Sequence, residues 1–440
     1  MNRFTVNPIS TGNQPLSVEL EYEGARIRSA RVGIRGYWNF EKMLVGRHPF
    51  DALQVALRIN SHLSVAHGLA AAKALESISG MEKTFNGMLA RNILQGCEFI
   101  YYHLYHFYQG ILFAYIPGPK DEDMLPGPAR IPVQQSKVLI EHYWQAMHFR
   151  TRLQEMMALL AGRVPHQVTV VPGGLSETLD TRKILKLLAY LEEIKGFISN
   201  TYINDVKILM QYYPEWATTP VGQNRYLAVH SFPQKLLKSG QEEGWYWRGS
   251  SLDAVQPEDI ELDDTFSWDP HGDTDKNGDK AAAYSWLKAG RYRSNVVEVG
   301  SLARAIANGR SIMMQPNERM NSVLGRELIK AGECIDLLDA IKNWINYLKP
   351  EKALAGSPLI VPKEGTGVAT VESPAGPVLH KIILEKGLIK EYLIIDPFVF
   401  NYSPKDKLGA NGPVEQALIG LTVANLQYPI EIVRVLRAFE

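Results

Sequence analysis

Apolar and polar positions alternate along this chain with two different periods, and each period predicts a different element. From Leu16 to Ile34 the polarity changes at nearly every second residue, in the stretch SVELEYEGARIRSARVGI, and the alternation pauses at Glu23-Gly24. That pattern predicts a β-hairpin. Beyond it the apolar residues recur at helical spacing through Asp51–Ser79, Gly87–Tyr115, Gln134–Ala161, Glu177–Tyr213 and Gly325–Tyr347, with prolines and glycines between the segments. Long helices with one apolar stripe must bury those stripes against one another, so a helical bundle is predicted as the central mass. Inside the first segment, ALRINSHLSVAHGLAAAKALE reads as a helix approached through a polar turn, Asn60-Ser61-His62, with alanines and Gly68 that allow close packing.

Strands return near the C-terminus in HKIILEKGLIKEYLIID, followed by a loop from Asn401 to Gly412, a helix from Pro413 towards Leu421, and a last helix from Pro429 still running at Glu440. Between Gln223 and Asp279 short apolar runs sit among turn residues. Asp273, Asp275, Asn277 and Asp279 have the spacing that begins a calcium loop, but the twelfth position is Tyr284, where a bidentate glutamate is required. An exposed loop is the expectation there. The predicted class is α+β, predominantly helical, in one domain. Its parts are a β-rich segment over 1–50, the first part of the bundle over 51–220, a mixed α/β region with a long polar loop over 221–320, a further bundle helix over 321–350, and strands and helices over 351–440.

Charge and cysteine content narrow the function. The 47 basic and 47 acidic side chains cancel, so nothing points to a nucleic-acid surface. Cys97 and Cys334 are the chain's two cysteines, which excludes a disulfide framework and any cysteine-rich metal centre made by this chain alone. MNRFTVNPISTG lacks the basic-then-apolar order of a secretory signal, and the apolar stretch Phe99–Ile116 contains His103, His106 and Gln109, which suits a buried helix better than a membrane span. A soluble, cytoplasmic protein is expected, reaching a membrane only through a partner. His62, His67, His103, His106 and Cys97 could be gathered into a zinc or iron site, but the reading adopted is that the histidines are core residues with backbone hydrogen bonds. Gly365-Thr366-Gly367 and PGGLSETLD lack phosphate-loop spacing, and Ser61 beside His62 has no nucleophile-elbow pattern around it.

Several stretches, taken in order, carry a resemblance: IRGYWNFEKMLVGRHP, the Asn60 turn and helix, RNILQGCEFIYYHLYHFY, GRVPHQVTVVPGG, YSWLKAGRYRSNVVEVGSLAR, VESPAGPVLH and the segment from Asn401 to Glu440. Together they resemble the large subunit of nickel-iron hydrogenases across nearly the full length. The resemblance implies that family's fold, in which four thiolates in two pairs hold nickel and iron, because soft thiolates stay bound through redox change. Arg58 and Ile59 match the start of the first motif, and the two cysteine positions are then Asn60 and Leu63. Arg437 to Glu440 match the residues leading into the second motif, and the sequence stops before its cysteines.

The surroundings differ in the same direction. The glutamate that relays protons in the family aligns with Asn13, the arginine above the iron's ligands with Lys405 beside a retained Asp406, and the arginine of a Pro-Arg-Gly segment with Ala375. His67 of the active-site helix persists. No catalytic residue, no metal and no cofactor are expected in this chain. The resemblance instead implies a catalytically inactive structural or assembly component that docks an iron-sulfur small-subunit-like protein or hydrogenase maturation proteins. The alternative is an oxidoreductase subunit with a reused pocket. Arg35, Tyr37, Trp38, Phe40 and Arg47 have the aromatic and arginine composition of an interface and are the expected partner surface.

Overall fold

In the computed structural model, which describes residues 2–11, 14–81, 83–118, 130–229, 245–248, 251–269, 282–308 and 318–440, the expected hairpin is part of a three-stranded antiparallel sheet. Its strands are β1 (Asn2–Thr11), β2 (Gln14–Glu23) and β3 (Arg26–Ile34), with Leu20 opposite Ala30 and Val18 opposite Val32. The alternation in β2 and β3 turns Leu16, Val18, Leu20, Ile27, Ala30 and Val32 inward. β1 was not legible as a strand, since NRFTVNPIST carries a proline in mid-run. The pairing tolerates it because β1 is an edge strand and Pro8 falls where the register shifts between Val6 and Ile9.

Short helices α1 (Phe40–Leu44) and α2 (Asp51–Ala56) lead to α3 (Ser64–Ser79), α4 (Phe85–Tyr105) and α5 (Val133–Ala161). The bundle is completed by the helices Thr181–Phe197, Ile203–Tyr212 and Val323–Tyr347, the last packing on α4. Starts are capped as their sequences suggest: Thr84, Asp180 and Ser322 accept from Gly87 N, Lys183 N and Gly325 N. Two predicted helices are interrupted by wider turns. After α4 the chain forms a π-helical turn at His106–Ile111, and between 197 and 203 another at Ile198–Tyr202. A 3.6-residue pattern cannot register the extra residue, so both were read as continuous.

Helix α3 lies on a second antiparallel sheet, with strands Gly365–Ser373, Gly376–Glu385 and Leu388–Ile395 in that order. The contact is close where Gly367 of the facing strand meets Ala74 and Ile78 of α3. A Cβ on Gly367 would stand 2.0 Å from the Ala74 carbonyl oxygen. Gly68 works in the same way on another side, where a Cβ would meet Leu57 Cδ2 at 2.6 Å. β3 is tied to the helix Pro413–Leu418, whose Glu415 Oε1 accepts from Val32 N at 3.0 Å. The predicted polar loop with Asp273, Asp275, Asn277 and Asp279 lies outside the described residues, as does Asn13. Among the described residues no helix is long and apolar enough to cross a membrane.

The tight seam between α3 and the sheet is testable with two glycines. Gly367→Ala is expected to destabilise by about 1–3 kcal/mol, because the backbone it meets cannot yield as a side chain would. Gly196→Ala, at a helical position with nothing within 4 Å of the new methyl, is expected to be neutral or to stabilise by up to ~1 kcal/mol. Urea unfolding of both variants checks the contrast; equal effects would remove the seam from the account.

Candidate functional site

The turn between α2 and α3 is held by its own backbone. Arg58 N donates to Val55 O, Ile59 N to Ala56 O and Leu63 N to Asn60 O, and the buried Asn60 side chain closes the turn by accepting from His62 N at 3.0 Å. Arg58 itself is exposed and reaches back to the Gln54 carbonyl. Leu63 sits at the start of α3 and offers no capping atom. Glu98 of α4 replaces it, its two oxygens accepting from Val65 N at 2.6 Å and Ala66 N at 3.1 Å. The Leu63 side chain is fully buried and forms a small apolar cluster with Tyr102 and Ala375. His62 stacks on Tyr105 at 4.2 Å between ring centroids.

His67, one turn further along α3, belongs to a buried polar chain. Its Nδ1 is 3.0 Å from His380 Nε2, its Nε2 is 3.2 Å from Asp396 Oδ2, and His380 Nδ1 is 2.8 Å from the Tyr392 hydroxyl. One assignment of protons satisfies every contact: Tyr392 donates to His380, His380 donates from Nε2 to His67, and His67 donates from Nε2 to the Asp396 carboxylate. Burial holds His380 well below its ordinary value and pushes the Tyr392 hydroxyl up. Asp396 also accepts from Phe398 N at 2.9 Å. Sequence reasoning named His67 but missed His380, Tyr392 and Asp396, because nothing in a strand pattern says which inward side chains will meet a helix more than 300 residues away.

Asn60 and Asp396 line one cavity of about 160 Å³, bounded by the loop after β3, by Trp286 to Lys288 and by Leu393 to Val399. Of the expected interface residues Tyr37, Trp38 and Phe40 line it, Arg35 and Arg47 do not, and the five have unequal roles. Tyr37 is fixed, stacked on Trp286 at 4.8 Å and donating to Asp269 Oδ1 at 3.2 Å, and burial followed by the Asp269 charge raises its hydroxyl pKa. Arg35 lies 5.0 Å over the Trp268 ring and reaches Ser17 Oγ. Phe40 is half-buried at the start of α1, and Arg47 turns back to the Met43 carbonyl at 2.8 Å. Trp38 is different: it is 62% exposed, close in sequence to the exposed Met43 and Val45.

Lys405 and Asp406 belong to another network. Lys405 N donates to the Tyr284 hydroxyl at 2.7 Å, while buried Asp406 accepts from Leu408 N, Ala410 N and, at 2.7 Å, Arg291 Nε. Two further histidines of the bundle are engaged: His103 Nε2 is 2.7 Å from Glu333, and His106 contacts Glu327 Oε2 at 3.2 Å and the Arg437 carbonyl at 2.7 Å. Burial alone would raise the Glu327 carboxyl, but the charges of His106 and Lys330 outweigh it and hold it at about 2. Burial pushes the Cys97 thiol up to about 12. Among the described residues, no three histidine, cysteine or carboxylate side chains converge as a metal-holding group.

The sequence profile of the family described as nickel-dependent hydrogenase matches residues 36–116 and 127–440. The chain is 26% identical over 487 aligned residues to the periplasmic NiFeSe hydrogenase large subunit of Desulfomicrobium baculatum, covering 100% of this chain and 93% of that protein. It is 24% identical over 549 aligned residues to the hydrogenase-2 large chain of Escherichia coli K12, covering 100% and 95%. The solved Ni-Fe-Se hydrogenase from D. vulgaris Hildenborough in its reduced state superposes with a TM-score of 0.92 at 27% identity, covering 100% of this chain and 98% of that one.

Leu63 provides a direct check on the apolar filling of this turn. Leu63→Ala is expected to destabilise by about 2–5 kcal/mol, the range for emptying a closed core position. A loss below ~1 kcal/mol in denaturant unfolding would mean that the cluster with Tyr102 and Ala375 is loosely packed.

Proposed function

The chain belongs to the nickel-dependent hydrogenase family, and within it we propose a catalytically inactive large-subunit-like protein that serves as a structural or assembly component docked to an iron-sulfur partner. The observation that carries this reading is the filling of the turn. At the two positions that the resemblance assigns to the first thiolate pair stand an amide folded onto its own backbone and a leucine packed against Tyr102 and Ala375. Neither supplies a soft, redox-tolerant donor, so these residues do not fit a thiolate-held nickel-iron group. Cys97 and Cys334 are buried in α4 and in the Val323–Tyr347 helix, and burial keeps Cys97 a thiol. We therefore assign no metal or cofactor to this chain.

Support for a partner comes from the relatives, which are named as large subunits or large chains, and from the surface around Trp38. An exposed tryptophan followed within seven residues by exposed Met43 and Val45 has the composition of an interface centre. Maturation proteins are the other partner class on this reading, and a cytoplasmic location is part of it. A second reading, an oxidoreductase subunit with a reused pocket, is favoured by the cavity that Asn60 and Asp396 share.

Two experiments bear on these statements. Protein purified gently from its native source should contain below about 0.1 equivalent of nickel and show no hydrogen uptake or evolution with its partner present, since no thiolate pair at the turn can hold the metal. Stoichiometric nickel surviving gel filtration, or activity that copurifies with this chain, would overturn the inactive reading. Trp38→Ala should lower recovery of an iron-sulfur protein, identified by mass spectrometry and by iron and sulfide content, while helical content and Tm stay near those of the parent. Full recovery by a folded variant would remove Trp38 from the interface.

A further inference from the structure

The cavity beside the Asn60 turn is assembled from stretches far apart in sequence, among them the loop after β3, the turn itself, 286–288 and 393–399. Apolar wall comes from Trp38, Phe40, Leu262, Trp286, Leu393 and Phe398. Tyr37 and Trp286, stacked at 4.8 Å with an interplanar angle of 12°, form a rigid aromatic section of it. The charged side chains on the wall are held by groups of the protein itself. Asp269 accepts from the Tyr37 hydroxyl at 3.2 Å and pairs with Lys288 at 3.4 Å, and Glu41 accepts from Ile394 N at 2.7 Å. Asp396 contacts His67 Nε2 at 3.2 Å and accepts from Phe398 N at 2.9 Å. The Asn60 amide oxygen is likewise taken, by His62 N.

We propose that this cavity binds a small, neutral, apolar molecule the size of one aromatic ring. The proposal rests on the second reading above and deepens it, by naming the ligand class of the reused pocket. The volume of about 160 Å³ is close to the ~150 Å³ engineered apolar cavity that takes up benzene, and it excludes nucleotides and other extended cofactors. Charge then sets the class. A charged ligand gives up its hydration on entry, and only a group waiting for it in the wall offsets that loss. Here the carboxylates and the ammonium group already have partners. A neutral ring carries no such penalty and gains apolar burial and dispersion contacts with the aromatic wall. Trp38 lines the cavity and also keeps 62% of its surface exposed, which places it at the opening.

The test titrates toluene into the full-length protein and follows the indole N–H signals of Trp38 and Trp286 by NMR, with benzylamine and benzoate as the cationic and anionic counterparts. Saturable one-to-one binding of toluene is expected, at least about tenfold tighter than either ion, or ~1.4 kcal/mol, with both indole signals shifted. Leu262→Trp adds bulk to the wall from a half-buried position on the strand Ile260–Asp263 and is expected to abolish toluene binding. Trp38→Ala, read on the Trp286 signal, is expected to weaken it several-fold with the fold unchanged by circular dichroism, and it decides the matter if the bulkier variant unfolds. Absence of saturation by toluene, or indifference of its binding to the folded variants, would overturn the proposal. Tighter binding of benzylamine or benzoate than of toluene would overturn the neutral class while keeping a ligand pocket. The second reading itself falls only if none of the three compounds saturates, so the two fail separately.

Discussion

Helix α3 begins without a capping side chain of its own, and the carboxylate of Glu98, borrowed from α4, satisfies its first free amides. A buried helix start left unpaired would be strongly unfavourable, so this pair of hydrogen bonds sets where α3 begins relative to α4. The opposite side is set by contact: Ala74 on α3 and Gly367 on the facing strand bring helix and sheet backbones together. With both neighbours fixed, His67 can only face His380 and Asp396, and the turn before α3 can only sit beside Tyr102 and Ala375. The polar chain and the apolar plug are two consequences of one placement.

Buried charge ties the rest of the molecule to this centre. Arg304 bridges Glu333 and Glu372 and also donates to the carbonyls of Ser373 and Pro374, while Arg326 pairs with Glu298 and Lys330 with Glu327. Such pairs contribute little net stability compared with apolar replacements, but losing one partner strands a charge in the interior, at about 3–5 kcal/mol. They therefore act mainly on register. The Val323–Tyr347 helix, the sheet beside α3 and the segment from Val296 to Ala307 can dock in one alignment, because each arginine must meet its own acceptors.

On this scaffold the residues singled out in the sequence do ordinary structural work. Asn60 closes a turn, Leu63 and Ala375 fill space, and Asp406 organises a loop with Arg291. None of these roles needs a metal, and each uses the chemistry its residue type does best: an amide that mimics backbone, an alkyl group that excludes water, a carboxylate that collects amides. Asn60 and Leu63 lie in a short turn, whereas the packing that defines the architecture lies in the helices and sheets around it.

Periodicity alone was enough for the hairpin, the five helical segments and the C-terminal strands, because burying one face imposes a repeat that survives in any chain of this class. Motif order was enough for the family, and composition for the absence of a disulfide framework. The local sequence also marked the turn at Asn60, since polar residues interrupting an apolar helix have few other uses. The edge strand β1 and the two π-helical turns were hidden, the first by Pro8 and the second by an extra residue per turn that leaves no trace in spacing. The partners of each polar side chain were decided only in three dimensions. His67 and His380 are both visible in the sequence, but their contact exists because a helix and a sheet approach closely, Gly367 against Ala74. That approach depends on the joint fit of surfaces from distant parts of the chain, and no local pattern encodes it.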